Sequence, residues 1–248
     1  MELREALNVS AGDTVAVAGA GGKSGAILAL AAELNRAGLS TLVAPTTKMF
    51  LKEVDQLGPL VVSEDASELR RLTKKALAGS SSVTAGKGLI SRKRIEGVEP
   101  EWVGLLSPLA DVTLVEADGS RRRPLKGTAP YEPVLPKDCT LVVAVGNVEA
   151  LGKPLNGEYV HRPEILSGLT GLGADQSITA RAFAVALAHG TLGKIPTASR
   201  RSILISGVKP GKSMAGAAGI SRELWRLGLN EVVMSSLPEE IPPQVWLP

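Results

Sequence analysis

The chain has too few cysteines and aromatic residues for several common classes of functional site. Its 248 residues include one cysteine, Cys139, which excludes an intrachain disulfide and a zinc site built from several thiolates. Aromatic residues make up only 3% of the chain and leave few surfaces on which single-stranded bases could stack. The formal net charge of +3 indicates no large basic surface. We therefore expect no nucleic-acid partner, and we place Cys139 at the entry of a strand.

Long apolar segments are also missing. No stretch approaches the length that crosses a bilayer, and the first residues, "MELREALNVSAGD", carry acidic groups without the apolar core of a signal peptide. We expect a cytoplasmic protein with no membrane partner.

What the chain does contain is an alternation of short apolar strands with helices. The strands "TVAVAG" and "STLVAP" flank a helical segment from Lys23 to Ala37, and the series continues with "DVTLVEADGS", "TLVVAVG", "SILIS" and "EVVMSS". Strands that are apolar throughout are typical of parallel sheets buried on both faces. The prediction is an α/β fold with a doubly wound, mostly parallel sheet and helices on both faces, as in P-loop NTPases. Residues 1–248 would form one domain, with a candidate insertion at about 59–108.

Two segments are expected to depart from this alternation. The stretch "SSVTAGKGLISRKRIEG" predicts a hairpin at the edge of the fold. The segment from Gly119 to Pro136 is rich in arginine, proline and glycine, which predicts a long irregular loop.

The stretch "GAGGKSG" joins the first strand to the first long helix and predicts a phosphate-binding loop. Glycines let backbone N–H groups converge on a phosphate, a lysine can reach the β- and γ-phosphates, and a serine hydroxyl can ligate Mg²⁺. Val17 stands where the Walker A motif has its first glycine, so the loop resembles the shortened loop of Mur-ligase-type ATPases. A dinucleotide-binding loop fits less well, because the third glycine of that motif is missing. The predicted phosphate-binding residues are Gly19, Ala20, Gly21, Gly22, Lys23, Ser24 and Gly25.

Oxygen-bearing side chains follow two of the predicted strands. Glu116 and Asp118 end the strand "VTLVEAD" and would point the same way, because side chains alternate along a strand. Thr46 and Thr47 end the second strand, where they offer hydroxyls to a metal or a water, or form a capping turn. Mg²⁺ prefers such ligands. The predicted metal ligands are Ser24, Thr46, Thr47, Glu116 and Asp118.

A basic loop comes directly after the two acids. A run of charge is most often a solvated surface, but this one leaves the sheet at the edge where α/β folds bind ligands. The residues predicted to hold a phosphate or an anionic substrate are Arg121, Arg122, Arg123, Lys126 and His161. Arg162 could stabilise transferred phosphate charge, so the catalytic candidates are Lys23, Asp118 and Arg162.

Four segments together resemble one known family. "GAGGKS", "PTTKMF", "VEADGSRRRPLKGTAPYEPVLP" and "VHRPE" are similar, in that order, to segments of the YqeC family of selenium-dependent hydroxylase accessory proteins. The resemblance implies a nucleotide-binding protein of the P-loop type that takes part in maturation of a selenium-dependent molybdenum hydroxylase. It also implies that hydroxylase, or its cofactor, as a partner.

The leading hypothesis is an accessory protein that binds Mg²⁺ with ATP or GTP and couples binding or hydrolysis to the handling of a metal cofactor. The base stays open, because "ILISGVKPG" lacks the Asn and Asp that relatives carry there. One alternative is a small-molecule kinase with Asp118 as base. The other is a binding module or chaperone that holds a phosphorylated cofactor such as molybdopterin and hydrolyses nothing.

Overall fold

The computed structural model describes residues 1–195, 198–236 and 242–248, which alternate between strands and helices. The strands are β1 (Thr14–Gly19), β2 (Thr41–Val43), β3 (Met49–Phe50), β4 (Leu60–Val62), β5 (Ser82–Gly86), β6 (Gly88–Ser91), β7 (Arg94–Glu96), β8 (Val112–Glu116), β9 (Leu125–Lys126), β10 (Leu141–Asn147), β11 (Val160–His161), β12 (Arg200–Ser206), β13 (Val232–Met234) and β14 (Gln244–Trp246). The helices are α1 (Leu3–Ala6), α2 (Lys23–Arg36), α3 (Leu51–Val54), α4 (Ala66–Leu77), α5 (Pro100–Leu106), α6 (Pro163–Thr170), α7 (Ala180–Val185) and α8 (Lys212–Arg226).

In the described part of the chain, nine strands form one central sheet. Their order is β14, β13, β12, β10, β1, β8, β2, β5 and β4. Neighbouring strands are parallel except β13 and β14, which confirms a large, mostly parallel sheet. The chain leaves β1 towards β2 on one side and leaves β10 towards β12 on the other, so the strand order reverses beside β1. Open α/β sheets bind ligands at such a point, beyond the carboxyl ends of the strands.

Side chains of β1 point alternately to two hydrophobic cores, one on each face of the sheet. Val15 and Val17 pack with Ile27 of α2, whereas Ala16 and Ala18 belong to the core that contains Phe183 of α7. Burial of a large apolar side chain such as Ile27 or Phe183 contributes about 1.5–3 kcal/mol to stability. Helices therefore cover both faces, and the central strand is fixed from both sides.

The prediction of an edge hairpin over residues 81–97 is wrong for its first half. Ser82–Gly86 forms β5, which is buried throughout and pairs in parallel with β2 and β4. The segment at about 59–108 thus contributes two strands to the central sheet. Its later part forms the hairpin of β6 and β7, which joins β3 in a separate three-stranded sheet.

The loop from Gly119 to Pro136 is irregular, as predicted, apart from β9, which pairs with β11 in a two-stranded sheet. Cys139 is buried just before β10, in agreement with its predicted place at a strand entry. Within the described ranges, the helices are too short or too polar to cross a bilayer.

The turn after β1 depends on a glycine at position 19. Gly19 has a φ of +99°, and a Cβ there would collide with the carbonyl oxygen of Val145. Gly38 has a φ of +80°, and nothing lies within 4 Å of the position that a Cβ would take there.

We expect Gly38→Ala to lower the free energy of unfolding by about 1 kcal/mol, from backbone strain alone. Gly19→Ala should lower it by roughly 3 kcal/mol, because strain and collision add. Urea unfolding measures the free energy of unfolding of both variants, and equal decreases in the two would contradict the prediction.

Candidate functional site

The glycine loop, residues 19–25, connects the central strand β1 to the helix α2. The loop packs closely: a Cβ on Gly21 would lie 2.7 Å from the Pro124 carbonyl oxygen. The first hydrogen bond within α2 runs from the Ala26 N–H to the Gly22 carbonyl at 2.9 Å. The N–H groups of Lys23, Ser24 and Gly25 precede it and have no acceptor within the helix. Together with the helix dipole they make a positive end that favours an anion.

Lys23 is buried and turns its ammonium group back over the loop. Its Nζ donates a hydrogen bond to the Gly19 carbonyl at 2.9 Å and lies 3.3 Å from Asp118 Oδ1 and 3.8 Å from Glu116 Oε1. Asp118 is fully buried and accepts the Gly19 N–H at 2.9 Å. The acidic end of β8 therefore supports both the lysine and the start of the glycine loop.

Glu116 is the carboxylate at this end of β8 that is left incompletely bonded. Its Oε2 is buried without a hydrogen-bond partner among the described residues. Burial raises the pKa of Glu116 to about 7, and the charges of Glu53 and Asp118 add to the rise, while Lys23 and a hydrogen bond with Ser24 oppose it. An acid with this pKa changes its charge near neutral pH, and its free oxygen can accept a proton or a cation.

The two predicted threonines do not serve the site equally. Thr46 donates a hydrogen bond to the Val134 carbonyl at 2.7 Å and does not line the cavity beside the loop. Thr47 lines that cavity, and its hydroxyl lies 3.3 Å from the Glu116 carbonyl oxygen. Thr46 therefore links backbone segments, and Thr47 is the threonine whose position fits a ligand contact.

The cavity has a volume of about 1490 Å³ and extends from the glycine loop to the predicted basic residues. Arg121, Arg122, Arg123, His161 and Arg162 all line it. These residues come from two segments, the loop after β8 and the junction of β11 with α6. The structure thus gathers most of the predicted anion-binding residues around one space.

Lys126 is the basic residue that the structure does not bring to the cavity. Its Nζ is buried and donates to Asp118 Oδ2 at 2.9 Å and to Glu132 Oε2 at 2.8 Å. Glu132 in turn accepts a hydrogen bond of 2.6 Å from Arg162. Burial alone would raise the pKa of Glu132, but the bonds from Arg162 and Lys126 hold it below its ordinary value. The buried ion pairs therefore form one series of alternating charges: Lys23, Asp118, Lys126, Glu132 and Arg162.

His161 has its pKa lowered by partial burial and by the positive charges of Arg162, Lys126 and Arg121. The imidazole is therefore largely neutral at pH 7 and can act as a hydrogen-bond donor or acceptor towards a ligand.

Sequence reasoning missed several residues of the cavity. Phe50, Arg94 and Tyr131 line it, and Glu132 joins the buried charges. Phe50 and Arg94 lie in the small sheet of β3, β6 and β7, whose position beside the loop no local pattern reveals. Glu132 stands in "APYEPVLP", but its partner Arg162 is 30 residues away, so only the folded chain pairs them.

A family model described as "YqeC protein" matches residues 15–164, which include every candidate residue discussed above. The chain belongs to the YqeC family. It is also 31% identical over 191 residues to the uncharacterized protein YqeC of Escherichia coli (strain K12), a match that covers 75% of this chain and 73% of that protein. The family membership inferred from the sequence is confirmed.

Across the described ranges, no cluster of three or more His, Cys, Asp or Glu side chains is placed to hold a metal ion. Magnesium sites that serve phosphates usually take one or two carboxylates together with water and phosphate oxygens.

The raised pKa of Glu116 predicts an unusual effect of pH on stability. A carboxyl whose folded-state pKa lies near 7 rather than 4.5 favours the folded state below about pH 4.5, and this contribution is lost as the pH rises through 7. Glu116→Gln removes the ionisation. At pH 8 it should increase the free energy of unfolding by about 3 kcal/mol, and at pH 5 by less than about 1 kcal/mol.

Urea unfolding at both pH values, without nucleotide or metal, measures this effect. The matched control is Glu164→Gln, which removes an exposed carboxylate on the same cavity and should change stability by less than about 0.5 kcal/mol at either pH. A Glu116→Gln effect of the same size at pH 5 and pH 8 would contradict the proposed cause.

Proposed function

We propose that this YqeC-family protein binds ATP or GTP as a magnesium complex at the glycine loop and acts as a P-loop NTPase-like protein. The observation that carries the proposal is Lys23, a buried lysine in the first turn of α2 whose ammonium lies over the glycine loop and beside Glu116 and Asp118. A lysine there, after a buried parallel strand and a run of glycines, is how phosphate-binding loops hold β- and γ-phosphates.

The phosphate contacts would come from the backbone as much as from side chains. The N–H groups of Lys23, Ser24 and Gly25 lie at the beginning of a 14-residue helix, so its dipole favours a negative group at this point. Lys23 already bonds the Gly19 carbonyl, and it would exchange part of that interaction for phosphate oxygens.

The residues beside Lys23 fit a magnesium ion that arrives with the nucleotide. The unpartnered Oε2 of Glu116, at the carboxyl end of β8, and the hydroxyl of Ser24, in the first turn of α2, are two oxygen ligands for the ion, and Thr47 lies on the same cavity. Bound Mg²⁺ would neutralise charge on the β- and γ-phosphates. Glu116 would have to lose its proton first, so it is the residue that links metal binding to pH.

Asp118 and Arg162 take supporting roles in this proposal. Asp118 is fully buried and already bonded to Gly19, Lys23 and Lys126, so we assign it as a positioning residue that holds Lys23 and the loop. Arg162 lines the cavity while bonded to Glu132 and Tyr131, which hold its guanidinium beside the space that the anion would occupy. The same contacts argue against Asp118 as the base of a kinase.

A kinase acting on a small molecule stays the second candidate, because the cavity exceeds the roughly 300–1000 Å³ of most single-ligand pockets. Its volume of about 1490 Å³ leaves room for an acceptor beside the nucleotide. A phosphorylated small product in place of free phosphate would favour this candidate. Binding of a phosphorylated cofactor such as molybdopterin without nucleotide turnover would favour a chaperone.

The biological setting that we propose is maturation of a selenium-dependent molybdenum hydroxylase, with that enzyme or its cofactor as the partner. Membership of the YqeC family supports this part of the proposal.

Substitution of Lys23 is the direct test of nucleotide binding. We expect Lys23→Ala to weaken the affinity for Mg·ATP or Mg·GTP about tenfold or more, because charge-assisted hydrogen bonds to phosphate contribute roughly 1.5–3 kcal/mol. Calorimetric titration measures the affinity. The matched control is Lys212→Ala, which removes the exposed lysine of the second "GKS" in the chain, at the start of α8, and should leave the affinity unchanged.

Lys23 also neutralises buried carboxylates, so the variant must first be shown to be folded by circular dichroism. Ser24→Ala leaves those ion pairs intact and should make nucleotide binding much less dependent on Mg²⁺. Wild-type affinity in folded Lys23→Ala, or a loss as large in Lys212→Ala, would contradict the proposal.

A further inference from the structure

At one wall of the cavity, two arginine side chains lie against the same phenylalanine ring. Phe50 of β3 faces Arg94 of β7 in the antiparallel register of the small sheet. The guanidinium carbon of Arg94 lies 4.3 Å from the centre of the Phe50 ring, and that of Arg122 lies 4.5 Å from it. We call Phe50, Arg94, Arg121 and Arg122 the arginine wall. It brings together three segments of the chain.

The charges of the arginine wall are not neutralised by the protein. In the described ranges, the guanidinium groups of Arg94, Arg121 and Arg122 have no ion-pair or hydrogen-bond partner, whereas Lys23 and Arg162 on the same cavity are paired. The cavity lining carries seven basic side chains and four glutamates, an excess equal to the +3 of the whole chain. The lining of the cavity is therefore net positive.

The backbone of the arginine wall is held in a costly conformation. Arg121 has a φ of +48° and Arg122 a φ of +60°, in the left-handed region that arginine seldom adopts. Conformations of this kind cost about 1–3 kcal/mol each and cluster where a side chain must be aimed at a ligand. Arg121 and Arg122 thus combine a strained backbone with unpaired charges on the cavity lining, an arrangement that fits an anion site.

We propose that the arginine wall is a second anion subsite that takes the phosphate of a phosphomonoester, beside the nucleotide held by the glycine loop. Arginine recognises phosphate through paired hydrogen bonds in a planar fork, and several unpaired guanidiniums suit a dianion better than a carboxylate. This inference deepens the proposed function, because it gives the chemical class of the second ligand in the same cavity.

The number of phosphates bound per chain tests this subsite. Equilibrium dialysis with radiolabelled inorganic phosphate at constant ionic strength should find two sites in the wild-type chain. Arg94→Ala combined with Arg122→Ala should leave one, because the affinity of the second site falls about tenfold or more when two charge-assisted contacts are lost. Both side chains are exposed, so the variant should fold. Phenyl phosphate should displace the second phosphate, and an equal concentration of acetate should not.

The control for charge is Arg92→Ala combined with Lys93→Ala, which removes two exposed cations from the adjacent turn, outside the cavity lining. It should still bind two phosphates. If both double variants lose the same phosphate, or if neither does, the arginine wall is not a specific subsite and the proposal is overturned.

Calorimetry with Mg·ATP and Mg·GTP separates this proposal from the nucleotide proposal. The arginine-wall variant should bind nucleotide within about threefold of wild type, because the ring contacts of Arg94 and Arg122 are with Phe50 and not with residues 19–25. A wild-type chain that binds one phosphate through Arg94 and Arg122 and no nucleotide would uphold the subsite while the glycine-loop proposal fails. Loss of nucleotide affinity with an unchanged phosphate count would mean that the wall belongs to the nucleotide site, which overturns the subsite.

Discussion

The buried ion pair between Lys23 and Asp118 is the interaction on which the arrangement of the site depends. Asp118 accepts the N–H of Gly19 and also pairs with Lys126, which bonds Glu132, which bonds Arg162. Buried charges are tolerated only when their partners are in place, and removal of one partner typically costs about 3–5 kcal/mol. The glycine loop, the end of β8 and the basic loop are therefore held in one geometry.

One unfavourable feature remains beside this ion pair, the unbonded oxygen of Glu116. Glu116 stays beside the ion pair with one oxygen unbonded and a pKa raised by burial to about 7. A buried polar atom without a partner is unfavourable, and in the function that we propose a cation that arrives with the nucleotide would satisfy it. Arg94 and Arg122 differ from Glu116 in this respect, because their side chains are exposed and water can solvate the unpaired charges. Stability is therefore lower than packing alone would allow only at Glu116 of these three residues.

Much of this organisation can be predicted from the sequence. Apolar runs such as Thr14–Gly19 and the glycines after them indicate a parallel sheet and a loop at its carboxyl edge, because these signals are local. Local patterns could not reveal that Ser82–Gly86 joins the central sheet, since burial of that segment is supplied by β2 and β4. Nor could they show that Lys126 is buried against Asp118, or that Arg94 meets Arg122 at Phe50, because both depend on contacts between separate segments.

The central claim is that the glycine loop binds a nucleotide as its magnesium complex. The most direct measurement is the thermal unfolding of the wild-type chain with ATP and with GTP, each with and without Mg²⁺. A ligand at 100 times its dissociation constant stabilises the folded state by about 2.7 kcal/mol, so one of the nucleotides with Mg²⁺ should raise Tm by roughly 5–10 °C for a chain of this length. The absence of any increase at millimolar nucleotide would contradict the account.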